Sequence, residues 1–253
     1  MSLRIAPLPA ESEAPFPAVE SALTEPDGLL AFGGDLTPAR LLNAYRHGIF
    51  PWYSQGEPIL WWSPSARAVF RTDGVHLSSR LMRGLRSSCL VVRADTCFDR
   101  VIAACARAPR PGQAGTWITP AMQRAYVELH ALGHAHSIEV FDGEAPDGDC
   151  LVGGLYGVAV GQMFCGESMF STRPGASSLG LAALARRLHA WGWPLIDAQV
   201  PNDHTGRLGV ETWSRNDYVA ALHALRDLPE APCTWSVRFG EIRAPELATP
   251  VSA

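Results

Sequence analysis

Residues 150–171 read CLVGGLYGVAVGQMFCGESMFS, two apolar runs rich in β-branched and aromatic residues that meet at Gly161. Runs of this length bounded by turn residues read as strands, and a single glycine between them reads as a tight hairpin turn. Upstream, HSIEVFD (136–142) alternates with period 2 and is separated from the hairpin by GEAPDGD, so three strands are expected in a meander. Downstream, Ala176 to Trp191 has the pattern of a long helix, and PLIDAQV (194–200) returns as a strand. Strands in a meander, then a helix, then another strand predict a mixed α/β sheet, an α+β order that suits an acetyltransferase-like domain.

Toward the N-terminus the elements continue. CLVVRAD (89–95) alternates as a strand, and Phe98 to Ala108 resembles a helix. Thr119, with Pro120 after it, signals a helix start that runs to Gly133. Ser78 to Ser88 fits a short helix with Leu77, Leu81 and Leu85 on one face and Arg80, Arg83 and Arg86 on another. Those arginines read equally as a solvated face or as a ridge that contacts phosphates. The segment 29–64 is rich in glycine and tryptophan and holds one well-signalled helix, from the cap Thr37 to the stop at Gly48. Residues 1–26 read as an extended lead-in. A small N-terminal domain over 1–69 and a larger domain over 70–253 are therefore expected. The last helix spans about Asn216 to Leu228, and the tail beyond Pro229 is weakly patterned.

Composition excludes several classes. Of 253 residues, 47% are hydrophobic and 18% charged, ordinary for a chain with a sizeable core. Net charge is −4, with 21 cations, all arginine, so non-specific coating of nucleic acid is disfavoured while a local basic patch is not. The six cysteines form no CxxC pair and no zinc-like spacing, and reduced thiols are expected. The N-terminus lacks the basic start and apolar stretch of a signal peptide, and no apolar run is long enough to span a bilayer. A cytoplasmic protein is expected.

Familiar chemistry motifs are missing: no Walker loop, GxGxxG, GxSxG or HExxH occurs. His130, His134 and His136 do not make a metal set, because Gly133 ends the helix between them and no carboxylate or thiol completes it. Two strands carry polar groups where apolar ones belong. Glu167 interrupts the run Met163–Phe170, while Asp197 and Gln199 lie two apart and are expected on one face of their strand. A charge in a central strand is costly unless paired or used, so these residues are either satisfied buried charges or the reacting groups.

The segments GLLAFGGDL, GIFPWYS, PILWWSP, GTWIT, LGHAHSIEV, LVGGLYGVA, FCGESMFS and Asp197–Ala198–Gln199 occur in one order over about residues 16–218. In that order they resemble the leucyl/phenylalanyl-tRNA–protein transferase family. The resemblance implies a small N-terminal domain, a catalytic domain of the acetyltransferase (GNAT) superfold, and transfer of Leu, Phe or sometimes Met from its tRNA to an N-terminal Arg or Lys of a protein, which marks the product for the N-degron pathway. It places Glu167, Asp197 and Gln199 at the reaction centre. Leu155, Phe164, Met169, Leu181, Leu184 and Ile196, with Tyr126 nearby, fall at the pocket for the transferred side chain, and Trp52 and Trp117 at the 3′-adenosine. No cofactor or metal is implied, because an aminoacyl ester is already activated and only positioning and one proton transfer remain. The sequence departs from many relatives at Ser178, where they carry lysine, and at Ala198, where cysteine is frequent. Arg80, Arg83 and Arg86 are the expected contacts to the tRNA backbone, and a monomer is expected. Two other readings compete: an acyl-CoA-dependent N-acetyltransferase, for which STRPGASSLG (171–180) is a poor pyrophosphate loop, and an adaptor that binds aminoacyl-tRNA or N-degron peptides without turnover.

Overall fold

In the computed structural model, which describes residues 5–11, 14–109, 116–143, 150–229 and 234–248, the expected hairpin forms as β8 (Leu151–Val160) and β9 (Met163–Ser171). Gly161 turns the chain between them at φ +57°, a conformation that an L side chain adopts only under strain. Six more strands extend the sheet: β5 (Ala66–Arg71), β6 (Leu90–Ala94), β7 (Ala135–Asp142), β10 (Leu195–Gln199), β11 (Glu211–Ser214) and β12 (Ile242–Arg243). Their order is β11-β5-β10-β9-β8-β7-β6-β12, antiparallel throughout except for the parallel pair β9 and β10. A smaller sheet, in the order β1-β2-β4-β3, is built from β1 (Ala6–Leu8), β2 (Leu29–Gly33), β3 (Phe50–Pro51) and β4 (Leu60–Trp62). The mixed α/β class expected from the sequence is what forms.

Helices cover both faces of the larger sheet. On one face lie α1 (Pro38–Arg46), α3 (Phe98–Arg107), α4 (Pro120–Ala131) and α7 (Arg215–Leu225); their buried residues form one core with Tyr156, Val158, Met163 and Cys165. On the other lie α2 (Ser79–Leu85), α5 (Ala176–Ala190), α8 (Trp235–Phe239) and α9 (Ala244–Leu247), around Ile138, Leu155, Phe164 and Ile196. A short helix, α6 (Asp203–Gly206), follows β10. The capping signals operate as read: Thr37 accepts from the Arg40 N–H and Thr119 from the Met122 N–H, each with proline in the first turn.

One expectation needs correcting. Residues 234–248 of the tail are more ordered than their pattern indicated, because Trp235 and Phe239 bury in the core beside α5 and β6 and so carry α8, β12 and α9 with them. Residues 69 and 70 both lie in β5, whose pairing with β10 and β11 makes Ala66–Arg71 part of the larger sheet.

The parallel pair creates the opening that the site uses. Pairing between β9 and β10 covers only 163–165 with 195–197 and then stops. Just past that point each strand carries a bulge. In β9 the register with β8 shifts between Tyr156 and Gly157, leaving Glu167 unpaired, and in β10 the register with β5 shifts between Asp197 and Gln199. A bulge kinks its strand and re-aims its side chains.

Candidate active site

Glu167, in the β9 bulge, is only 8% exposed and lies where three elements converge. Tyr45 of α1 donates its hydroxyl to Oε1 at 2.6 Å, and Tyr126 of α4 donates to Oε2 at 3.0 Å. The two tyrosine hydroxyls also touch each other. Gln199 donates from Nε2 to Oε1 at 2.5 Å, which fixes the amide and leaves its carbonyl oxygen as the group available for a ligand. Burial pushes the Glu167 carboxyl up to about 7, against the downward pull of its tyrosine and glutamine donors. Burial and the Glu167 charge hold both tyrosines well above their ordinary range, so they remain hydroxyl donors.

Asp197 stands behind this cluster and is fully buried. Arg67 of β5 grips it with two bonds, Nε to Oδ1 at 2.8 Å and Nη2 to Oδ2 at 2.6 Å, and the Tyr218 hydroxyl of α7 donates to Oδ2 at 3.0 Å. Its Oδ1 also accepts the backbone N–H of Gln199 at 2.8 Å. That bond holds Gln199 at φ +60°, a left-handed conformation that is rare outside glycine. Asp197 and Gln199 are therefore linked through a bulge rather than by the regular alternation expected of the strand. Arg67 sits between the rings of Phe50 and Tyr218, 4.9 and 4.3 Å from their centroids, and also donates to the Gly48 carbonyl at 3.1 Å and to the Tyr218 hydroxyl at 3.3 Å. Burial alone would lower its pKa, but the Asp197 carboxylate outweighs that and holds it above the ordinary value.

Cavities open from the cluster in two directions. An apolar one of about 200 Å³ is lined by Leu155, Phe164, Met169, Leu181, Leu184 and Ile196, with Glu167 and Asp197 at its polar end. All six residues expected there come together; Phe70 joins them, while Tyr126 serves Glu167 instead. In the other direction a cleft of about 180 Å³ is lined by Trp52 and Trp117 together with Glu167 and Gln199. The same two tryptophans border a wider trough of about 760 Å³. Trp52 is 38% exposed, unusual for so large an apolar ring and fitting for a stacking surface.

The remaining expected positions are plainer. Arg80, Arg83 and Arg86 are exposed on and just after α2, with Arg83 turned back to the Ser79 carbonyl. His130 contacts the Ala135 carbonyl and His136 contacts Asp95, and among the described residues no group of His, Cys, Asp and Glu could hold a metal ion. Cys89, Cys97, Cys105, Cys150 and Cys165 are in no disulfide among the described residues, and Cys233 lies outside them. Glu139 is a useful contrast. Burial raises it, too, to about 7, but Ser137 and Thr96 occupy its oxygens and it borders none of these cavities, so a raised carboxyl alone does not mark the site.

Tyr45, Arg67 and Tyr218 escaped the sequence reading. Arg67 had a signal, since a charge inside the apolar strand ARAVF demands a buried partner, and Asp197 posed the same demand in reverse.

Two family models match the sequence: one described as leucyl/phenylalanyl-tRNA protein transferase over residues 69–223, and one described as its N-terminal domain over residues 34–65. A protein of Xanthomonas euvesicatoria pv. vesicatoria (strain 85-10), named leucyl/phenylalanyl-tRNA–protein transferase, is 62% identical over 95% of this chain and 94% of its own. One of the same name from Xylella fastidiosa (strain 9a5c) is 58% identical over 92% and 94%. Among solved structures, FemX aligns with 70% of this chain and 66% of its own at 12% identity and a TM-score of 0.44. A functionally unknown conserved protein from Staphylococcus epidermidis ATCC 12228 aligns over 74% and 68% at 10% identity and a TM-score of 0.40.

Proposed function

The chain belongs to the leucyl/phenylalanyl-tRNA–protein transferase family, and from that premise we propose what its site does. It is an aminoacyltransferase that moves an aminoacyl group from tRNA to proteins. The donors are tRNAs charged with Leu, Phe or Met, the acceptors are proteins with N-terminal Arg or Lys, and the products enter the N-degron pathway. The enzyme works as a cytoplasmic monomer without metal or cofactor. The smaller sheet corresponds to the small N-terminal domain and the larger one to an acetyltransferase-like catalytic domain. The hand-over lies at the start of β5, next to the end of the N-terminal family match at residue 65.

One observation carries this reading: Glu167, fixed by Tyr45, Tyr126 and Gln199, stands where the apolar cavity meets the tryptophan-walled cleft. The side chain of the transferred residue occupies the apolar cavity. Met169 in its wall lets Leu, Phe and Met each fit. The 3′-adenosine stacks at Trp52 and Trp117, a contact worth about 1–3 kcal/mol per base. The ester carbonyl then lies at the junction. The acceptor amine, which titrates near pH 8, is oriented by the free carbonyl oxygen of Gln199 and drawn in by Glu167. As its nitrogen bonds to the carbonyl carbon, Glu167 takes the amine proton and returns it to the ribose oxygen when the ester C–O bond breaks. Asp197, whose oxygens are held by Arg67 and Tyr218, orients Gln199 and leaves the proton to Glu167. Arg80, Arg83 and Arg86 meet the tRNA backbone outside.

The test incubates the protein with radiolabelled Leu-tRNA or Phe-tRNA and peptides beginning with Arg, Lys, Asp or Ala. Label is expected on the Arg and Lys peptides only, over many turnovers, and lost in Gln199→Ala with the fold intact. A single stoichiometric binding event without product would favour the adaptor. A donor requirement met by acetyl-CoA would favour the acetyltransferase.

A further inference from the structure

The trough that Trp52 and Trp117 border differs in chemistry from the cleft beside it. Around its space of about 760 Å³ stand three indoles, Trp52, Trp62 and Trp117, with Tyr53 and a single carboxylate, Glu57. Among the described residues that line it there is no arginine, lysine or histidine. Glu57 is exposed but set by the turn that carries it. Its backbone N–H donates to the Ser54 carbonyl at 3.1 Å, and its Oε2 accepts the Ser54 N–H at 2.9 Å. Gly56, between them, is left-handed at φ +89° and lets the turn close this tightly. No cation pairs with Glu57 among the described residues. The indoles are placed as well. Trp62 donates its Nε1–H to the Trp52 carbonyl at 2.7 Å, and the two rings stand 5.7 Å apart at 57°, an open corner rather than a parallel slot for a flat base.

Aromatic faces attract a cation, and a carboxylate beside them adds its own charge to the attraction. A strand of nucleic acid would find one negative charge there and no positive one, whereas phosphates are held by cations. Charge therefore selects a cationic occupant, and position selects which. Trp52 and Trp117 also line the cleft that contains Glu167 and Gln199, so the trough opens beside the place where the acceptor amine reacts. We infer that the trough receives the cationic side chain of the acceptor's first residue, with Glu57 as its counter-ion and Trp52 and Trp62 as its aromatic faces. This rests on the aminoacyl-transfer reading above and adds to it the group that selects the acceptor. Glu167 and Gln199 meet the α-amine, which every acceptor carries, so they do not tell Arg from Ala. Arg is a planar fork and Lys a point charge; an open corner with one carboxylate takes either, while a neutral or acidic side chain gains nothing there.

The experiment measures transfer to peptides that begin with Arg, Lys or citrulline, which has the shape of Arg without its charge. Wild type, Glu57→Gln and Glu57→Arg are compared. Residue 57 is exposed, and Gln keeps an oxygen for the Ser54 N–H, so both variants fold. In Glu57→Gln the KM for the Arg and Lys peptides is expected to rise about fivefold, with kcat and the KM for leucyl-tRNA unchanged. The citrulline peptide should not respond, so the preference for Arg over citrulline in kcat/KM shrinks by the same factor. Glu57→Arg puts a like charge in the trough and should raise the KM for the Arg peptide about tenfold or more. An unchanged KM for the Arg peptide in both variants overturns the proposal, and so do equal losses on the Arg and citrulline peptides, which mark a turn that only supports the fold. A KM for leucyl-tRNA that falls in Glu57→Arg also overturns it, by assigning the trough to the donor strand. A wild-type enzyme that labels none of these peptides would instead sink the transferase reading itself.

Discussion

Glu167 sets the pH behaviour of the site. Its carboxyl is raised to about 7 by burial, so near neutrality it changes between a neutral acid and the carboxylate that accepts a proton. Transfer from a saturating donor is expected to rise as pH passes through about 7, and to climb further as the acceptor amine deprotonates near pH 8. Glu167→Gln keeps a hydrogen-bonding group for Tyr45 and Tyr126 but cannot take the proton. Its kcat should fall by about 10²–10⁴ and lose the rise near pH 7, leaving only the limb of the amine. A variant with the same two-step profile as the wild type would remove Glu167 from the proton path. The stability sign runs the other way. The folded pKa lies above the unfolded one, so the neutral carboxyl contributes stability fully below about 4.5 and loses it as pH rises through about 7. The active form is thus the less stable one. At this scale the sequence was legible where a charge stood in an apolar strand, as Glu167 and Asp197 did. It was opaque at Tyr45, because a tyrosine on an amphipathic helix packs far more often than it donates to a carboxylate.

Elements convert those residues into a site through two bulges beside a parallel pair that parts early. Cys165 and Met163 face the core shared with α3 and α4, yet beyond Glu167 the residue facing that core is Phe170, so one extra residue has switched the alternation. Strand existence, order of elements and helix caps could be read from apolar runs, proline and threonine. The bulges could not, because an apolar strand buried on both faces shows no alternation for a slip to disturb. The regular spacing assumed for Asp197 and Gln199 missed the shift for the same reason. The β9 bulge depends on Gly157 across the ladder. A Cβ there would lie 2.3 Å from the Cys165 carbonyl oxygen and 2.6 Å from the Phe164 ring, so β9 would have to move at the base of the bulge. Gly157→Ala is expected to cost about 1–3 kcal/mol in urea unfolding and to lower kcat by more than tenfold in material that remains folded. Full activity with unchanged stability would mean that the bulge does not depend on this close approach.

Across the whole molecule, Arg67 joins parts that the family models treat separately. From β5 it reaches back to the Gly48 carbonyl, forward to Asp197 and, through Asp197, to the backbone of Gln199. The same core contains Tyr45 and Trp61 from the N-terminal part and Tyr126, Tyr156 and Tyr218 from the rest. Dividing the chain at residue 69 would take Arg67 away and leave the buried Asp197 carboxyl with only the Tyr218 hydroxyl and the Gln199 N–H and no cation, so 70–253 alone is expected to stay unfolded. Fully buried pairs of this kind separate stability from function. Arg67→Met should destabilise by about 3–5 kcal/mol, since it strands one charge in the interior. Adding Asp197→Leu removes that charge and should recover most of the loss, because an apolar pair of similar volume is often as stable as the ion pair. Transfer should not recover with it: Leu has no oxygen to hold the Gln199 N–H, and the left-handed turn that aims Gln199 at Glu167 loses its support. Urea unfolding and the peptide assay on the single and double variants separate the two. If the double variant regains both stability and turnover, the ion pair is a structural strut and the positioning of Gln199 rests on the bulge alone.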